Sequence, residues 1–305
     1  MKKIYTTIFM VAIGVITSFA QVYTVNITPN NPEWGEVEIG NHLQGVIQGV
    51  FSVSATKKVV FSKGNLQYQA STNTWRFAEN QYDMVGIGYG QTDEGHYCYV
   101  GGTVPNSDNR EISSRYDGWI DLFGWGTGNN PTNVSTNYAD YSTFVDWGVN
   151  KISNGGNQAG LWRTLTSDEW IYLLFSRTNY DKLWSLATVN GISGVVLLPD
   201  SWSLPSGLTF TAKVLKDFDT NVYTVAQWTK MENAGAVFLP AAGIRYGTSM
   251  SNVGRYCTLW SSSYSSVMSK HAYSVIFELS DGYGLSNSGY YYGLSVRLCS
   301  EISIK

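Results

Sequence analysis

Three tyrosines in a row, Tyr290, Tyr291 and Tyr292, stand just before an apolar run in GYYYGLSVRL, residues 289–298. Adjacent residues of a strand point to opposite faces, so the three cannot all enter one core. At least one must face solvent, and exposed tyrosine clusters are typical of binding surfaces. The feature demands β structure near the end of the chain and an aromatic display on one side of it.

The surrounding sequence extends this demand. Residues 246–292 number 47, of which 8 are Tyr and 12 are Ser. Trp260, Tyr273, Phe277 and Val296 interrupt the run as apolar anchors. YCTLWSSS, AYSVIFEL and LSVRLC read as successive strands separated by turn residues. Two readings follow from composition. One is a rigid sheet presenting a Tyr/Ser-rich contact surface, with tyrosine giving area and serine adaptable hydrogen bonds. The other is a sheet that uses tyrosine because aromatic residues suit strands.

The chain has 305 residues, 43% hydrophobic and 14% charged, enough for one large or two ordinary domains with a substantial core. Low charge with abundant Gly, Ser, Tyr and Trp points away from disorder. The net charge of −3 comes without a basic run, so nucleic acid is not an expected partner. At the N-terminus, Lys2 and Lys3 precede the apolar Ile8–Ile16 run, and Ser18-Phe19-Ala20 offers a small-residue cleavage site. This pattern predicts a signal peptide over residues 1–20, cut before Gln21, and hence a secreted or cell-surface protein. The apolar run is too short for a stable span, and no later segment is long and apolar enough to cross a membrane. Gln21 stands where a lipoprotein would carry Cys, so lipid anchoring by that route is not expected.

Residues 21–49 read as a short β segment: Tyr23, Val25 and Ile27 alternate, Pro29 to Pro32 form a turn, and Val37 and Ile39 start a return strand. A single α+β domain is expected over 50–305. It opens with an antiparallel meander in which Asn73 turns and Trp75 and Phe77 share a face. Residues 79–158 read as long loops packed by Trp119, Phe123, Trp125, Phe144 and Trp147. Thr166 and Glu169 have capping-box spacing before a helix whose Trp170, Leu173 and Leu174 share one face. A second helix is predicted at VAQWTKMENAG, ending at Gly235. VVLLP and AVFLPAAG read as buried strands.

The ordered set GLWRTLTSDEW, GVVLLPDSW, GAVFLPAAGIRYGT, LWSSS, AYSVIFEL and GLSVRL resembles a family of secreted proteins of gut Bacteroidales, related to the Fibrobacter major paralogous domain. The resemblance runs over roughly residues 50–298. It implies a C-type lectin-like fold, short antiparallel strands with two helices and long structured loops, in the superfamily of formylglycine-generating enzymes. Several members are similar to variable proteins of diversity-generating retroelements, in which template adenines are mutated and Asn codons become Tyr, Ser, Cys, His, Leu and others. On that resemblance the variable, ligand-contacting positions are Tyr246, Ser249, Tyr256, Cys257, Leu259, Tyr264, Ser265, Ser269, His271, Ser274, Tyr283, Ser286, Tyr290 and Tyr291. Gly254, Trp260, Ser261, Ser262, Ala272, Tyr273, Phe277 and the run 293–298 would be scaffold. Met250, Met268, Lys270 and Glu278 are not reachable from such a codon.

The superfamily's chemistries are not expected. Calcium-dependent sugar binding needs an acidic or amide ligand where LLPD has Leu198, which leaves Asp200 as a turn residue. The cysteines Cys98, Cys257 and Cys299 are an odd, sparse set, and Cys257 and Cys299 lie outside the closely spaced pattern of the formylglycine-generating type. Cys257 and Cys299 could pair, but isolated thiols are the simpler reading. DEGHYC (93–98) has no metal-site spacing, His271 has no nucleophile elbow to serve, and GIGYG and GWGTG lack the Lys of a phosphate loop. Asp168 and Glu169 favour a helix N-terminus rather than catalysis.

These observations predict a non-enzymatic, adhesin-like binding protein without metal or cofactor. Its partner would be a surface protein or glycan, and its contact face residues 246–292. A fixed structural component of the cell surface and a formylglycine-generating-type enzyme are the alternatives.

Overall fold

The computed structural model describes residues 23–25, 37–39, 44–85, 112–141, 143–279 and 282–304. The predicted signal peptide, His42, GIGYG and DEGHYC lie outside them. The described chain is mostly antiparallel sheet with two α-helices, an α+β arrangement.

Leu298–Ile304, the last strand, is central to a six-stranded sheet. It pairs with Val37–Ile39, with Lys58–Phe61 and with Arg163–Thr164, all antiparallel. The expected N-terminal hairpin is present, Tyr23–Val25 against Val37–Ile39, and it extends this sheet. The strand expected at LSVRLC is displaced. Leu294 and Ser295 make only isolated bridges, to Phe123 and Leu259, and regular pairing begins at Leu298. The backbone there bonds to several segments in turn, Leu294 with Phe123, Ser295 with Thr258 and Trp260, and Val296 with Leu66. Arg297 follows, fully buried, and its guanidinium donates to Asn65 Oδ1 (3.0 Å), the Ser62 carbonyl (2.9 Å) and the Phe238 carbonyl (2.6 Å). Burial pulls this group down to about 9, and three acceptors replace the water it has lost.

The opening meander is divided between sheets. Phe51–Ser52 pairs with Lys58–Phe61 in the central sheet, whereas Leu66–Gln69 pairs with Thr74–Phe77 and with Trp119–Ile120 in another. Asn73 turns that hairpin with φ of 49°, and Trp75 and Phe77 are buried on one face, as expected. A four-stranded sheet holds Trp184–Val189, Ile192–Leu197 and Val237–Pro240, with Val222–Tyr223 parallel at its edge.

Helix α1 (Ser167–Phe175) carries the predicted capping box between Thr166 and Glu169 and buries Trp170, Leu173 and Leu174. Helix α2 (Val225–Asn233) has its own box, Thr224 with Gln227, and stops before Gly235 at φ of 93°. Asp200 follows its strand in a turn, as expected. It also accepts from the Ser52 backbone and hydroxyl and from buried Arg177.

The C-terminal third forms a three-stranded meander, Cys257–Tyr264, His271–Phe277 and Tyr283–Gly289. A smaller sheet, Ser249–Ser251, Ile244–Tyr246 and Tyr292–Gly293, lies next along the chain at both its ends. Phe123, Trp125 and Trp147 supply the packing expected of the long loops. They join a cluster with Trp75, Trp162, Trp260 and Leu294.

Candidate tyrosine face and adjoining cleft

The three tyrosines are held by a neighbouring loop. Phe123 and Leu294 exchange both backbone hydrogen bonds at 3.0 Å, and the Trp125 N–H donates to the Tyr290 carbonyl at 2.9 Å. The indole N–H groups of Trp125 and Trp260 donate to the carbonyls of Ser261 and Phe123. Five backbone and indole hydrogen bonds thus lock residues 123–125, 260–261 and 290–294 together.

On this base two aromatic groups meet. In the first, Trp125 stacks on Tyr290 and meets Tyr264 edge-on, with centroids 4.8 and 4.4 Å away. In the second, Tyr291 contacts Tyr138 (4.6 Å), Tyr246 (5.3 Å) and Tyr292 (4.7 Å). The Tyr138 hydroxyl donates to that of Tyr291 at 3.2 Å. This hydrogen bond, together with burial and the nearby Tyr292, raises the Tyr291 phenol above its ordinary value. Lys270 Nζ sits 5.6 Å from the Tyr138 ring centre, and the His271 ring centroid lies 5.9 Å from it. Tyr246 and Tyr264 remain 49% and 52% exposed.

The fourteen sequence-predicted positions divide sharply. Tyr246, Ser249, Tyr264 and Ser269 are exposed. Tyr290, Tyr291 and His271 are half-buried in the aromatic groups just described. Ser265 is committed to the hairpin tip: its hydroxyl donates to Asn287 Oδ1 and accepts from the Met268 N–H. Ser286 is half-buried in mid-strand opposite Ser274. Tyr256 and Tyr283 flank the far end of the meander, where Cys257 and Tyr283 both pair with Phe277. Tyr283 there packs on Trp184 and Phe175. Six residues separate it from Gly289, about 20 Å along a strand.

Three positions must be withdrawn as contacts. Cys257, Leu259 and Ser274 are at most 1% exposed. Alternation along Cys257–Tyr264 turns Cys257 and Leu259 into the core beside Val275 and Phe277, and the Ser274 hydroxyl is bonded to that of Ser288. Cys257 and Cys299 are both free and buried, and burial pushes both thiols well above the ordinary range. They are therefore poor nucleophiles.

Beside the tyrosines, the loop from Gly124 to Val145 shapes a cleft of about 230 Å³, lined by Trp125, Thr127, Asn129, Asn130, Asn133, Asp140, Tyr141, Thr143 and Val145. GWGTG is a tight loop, as expected, and Gly126 adopts φ of 68° beside Phe144. The wall is built from short polar links. Asn133 Nδ2 donates to the Asp140 carbonyl, the Ser135 hydroxyl to the Asp140 carboxylate, and the Tyr141 hydroxyl to the Ser135 carbonyl. Burial pushes the Tyr141 phenol up to about 12, so it stays a neutral donor. Behind the wall lies Arg245, fully buried, donating to the carbonyls of Leu122 (3.3 Å), Gly247 (2.7 Å) and Asn133 (3.5 Å). Among the described residues, no group of three or more His, Cys, Asp or Glu could hold a metal ion.

Sequence reasoning missed Tyr138 and the cleft residues as parts of this surface; Tyr292 and Lys270 lay within its contact run 246–292 but were not singled out as contact positions. The signal available was the Asn/Thr/Tyr-rich run GTGNNPTNVSTNYADY at 126–141, polar yet flanked by buried Trp125 and Trp147.

Compared with known proteins, the chain matches no family model, no curated protein and no solved structure.

Proposed function

We propose that this is an exported, non-enzymatic binding protein with a C-type lectin-like architecture, and that its contact surface is the face around Tyr246, Tyr264, Tyr138 and Tyr291. One observation carries this reading: an aromatic surface cluster is anchored rigidly from below yet leaves Tyr246 and Tyr264 about half exposed. Tyrosine held in place loses little entropy on binding and offers both apolar area and a hydroxyl. The apolar residues Val267 (72% exposed) and Met268 (45% exposed) at the neighbouring hairpin tip extend the surface. The partner is a surface protein or glycan of another cell, recognised without metal or cofactor.

If the tail is diversified by a retroelement, variation concentrates at Tyr246, Ser249, Tyr264, Ser269, His271 and Tyr291 and avoids Cys257, Leu259 and Ser274. Sequencing the 3′ end of the gene across a population tests this directly. Binding is tested with the chain from Gln21 onward, immobilised and presented to whole cells and to glycan arrays. The Tyr246→Ala/Tyr291→Ala double variant should lose most binding while keeping its thermal transition. Undiminished binding by that variant would overturn the reading.

A further inference from the structure

The cleft adjoins the tyrosine face through Trp125, which lines it and stacks on Tyr290, and Tyr138, which meets Tyr291, lies two residues before the lining Asp140. We propose that this cleft seats a neutral saccharide unit of a glycan, held by Asn129, Asn130 and Thr143 without a bound cation. The inference rests on the binding reading above and narrows the ligand to a glycan.

Three features select this class. First, the free hydrogen-bonding capacity is of the right kind. Asn133, Thr127 and Tyr141 spend their side-chain groups on the wall itself. The side chains of Asn129, Asn130 and Thr143 are exposed and make no hydrogen bond within the described chain. Each amide both donates and accepts, and so does the hydroxyl, which matches vicinal hydroxyls that also do both.

Second, the charge is wrong for an anion. Among the described residues no Lys or Arg lines the cleft, Arg245 behind the wall being spent on three backbone carbonyls, and the carboxylate that does line it is that of Asp140. An acidic sugar, phosphate or sulfate would meet like charge with no compensating cation, whereas a neutral polyol meets none. A single carboxylate already bonded to Ser135 is also too sparse for calcium, which takes 6–8 oxygen ligands.

Third, the size is that of a small ring. The volume of about 230 Å³ lies below the roughly 300–1,000 Å³ of pockets for drug-sized ligands and suits a single sugar residue. The walls are preorganised by the Asn133, Tyr141 and Arg245 links, so little ordering is left for the ligand to impose.

The experiment is saturation-transfer NMR with titration, using methyl glycosides of glucose, galactose, mannose, fucose and N-acetylglucosamine in the presence of EDTA. At least one should bind, and methyl glucuronide should not. The Asn129→Ala/Asn130→Ala double variant should weaken that binding roughly ten-fold or more, as expected for one or two lost hydrogen bonds. Thr143→Val should weaken it less. Asn129, Asn130 and Thr143 are exposed and their side chains uncommitted, so these variants keep the fold. Binding of no glycoside, or equal binding by the double Asn variant, would overturn the inference. Cell binding that needs Tyr246 and Tyr291 while no glycoside binds would sink the cleft assignment and leave the binding reading standing.

Discussion

The indole of Trp125 lies parallel to the phenol of Tyr290, with centroids 4.8 Å apart and planes inclined by 17°. Trp125 is fully buried and Tyr290 half-buried, so the stack caps the aromatic core rather than extending into solvent. The Tyr290 hydroxyl makes no hydrogen bond within the described chain. Tyr290→Phe should therefore change stability by no more than about 0.5 kcal/mol. Tyr290→Ala should cost about 2 kcal/mol through lost burial and the lost ring pair. Urea denaturation of the two variants checks this. Equal midpoints would show that Tyr290 is displayed, not packed.

Tyr246 and Tyr264 should behave oppositely. Each touches the aromatic groups through one side and leaves about half its surface in water, 49% and 52% exposed respectively. Alanine at either position should lower stability by about 1 kcal/mol or less. Partner binding should fall by about ten-fold or more at whichever is a contact hot spot. Parallel melting curves and binding isotherms separate the two effects.

Gly293 is where Arg245 needs space. A Cβ on Gly293 would lie 2.6 Å from Arg245 Nε and 2.8 Å from Cζ. Those atoms belong to a guanidinium fixed by three carbonyls, whose burial pulls it down to about 10. Gly293→Ala should destabilise by about 1–3 kcal/mol. Arg245→Met removes the same carbonyl links and should also loosen the cleft wall at Asn133. Amide hydrogen exchange at residues 122 and 133–141 would register the loosening, and unchanged protection there would refute the role given to Arg245.

Through Arg163, Glu169 links helix α1 to the middle of the last strand. Both its oxygens accept from Arg163 at 2.7 Å, and Arg163 also reaches Glu301 at 2.8 Å. Burial would raise the Glu169 carboxyl, but the Arg163 hydrogen bonds, the Thr166 N–H and the nearby positive charge outweigh it and hold the pKa below its ordinary 4.5. A carboxyl depressed in the folded state contributes stability above its unfolded pKa and loses it as pH falls through the folded value. Glu169→Gln should thus cost about 2 kcal/mol at pH 7. That cost should shrink progressively below about pH 4.5. A pH-independent difference between wild type and variant would exclude the ion pair as its source.

Cys257 and Cys299 should resist alkylation in the native protein and react after denaturation. Peptide mapping after iodoacetamide treatment reads this out. Native labelling of either would contradict its burial and reopen thiolate chemistry.

Much of the fold was legible because its signals are local. The Thr166–Glu169 box needs only a hydroxyl and a carboxylate three residues apart, and it forms as read. Period-two alternation located two strands of the C-terminal meander, Cys257–Tyr264 and His271–Phe277, approximately; it passed over Tyr283–Gly289, and at LSVRLC it failed. There the backbone of residues 294–296 bonds to Phe123, Thr258, Trp260 and Leu66, partners remote in sequence and on different segments, and regular pairing begins only at Leu298. Residue type also could not separate Tyr264, displayed, from Leu259 and Ser274, buried, because reachability by mutation carries no information about which way a side chain points.

By itself, then, the sequence determined the helices, the β-rich tail and the necessity that some tyrosine leave the core, since each follows from short-range periodicity and capping. The tertiary structure alone decided which tyrosines are displayed and what stands beside them. Backbone bonds from Phe123 and Trp125 to Leu294 and Tyr290 bring a loop more than 160 residues earlier against the tail. That pairing, set by burial of Trp125 and Trp260 rather than by any local preference, joins the polar cleft to the aromatic face.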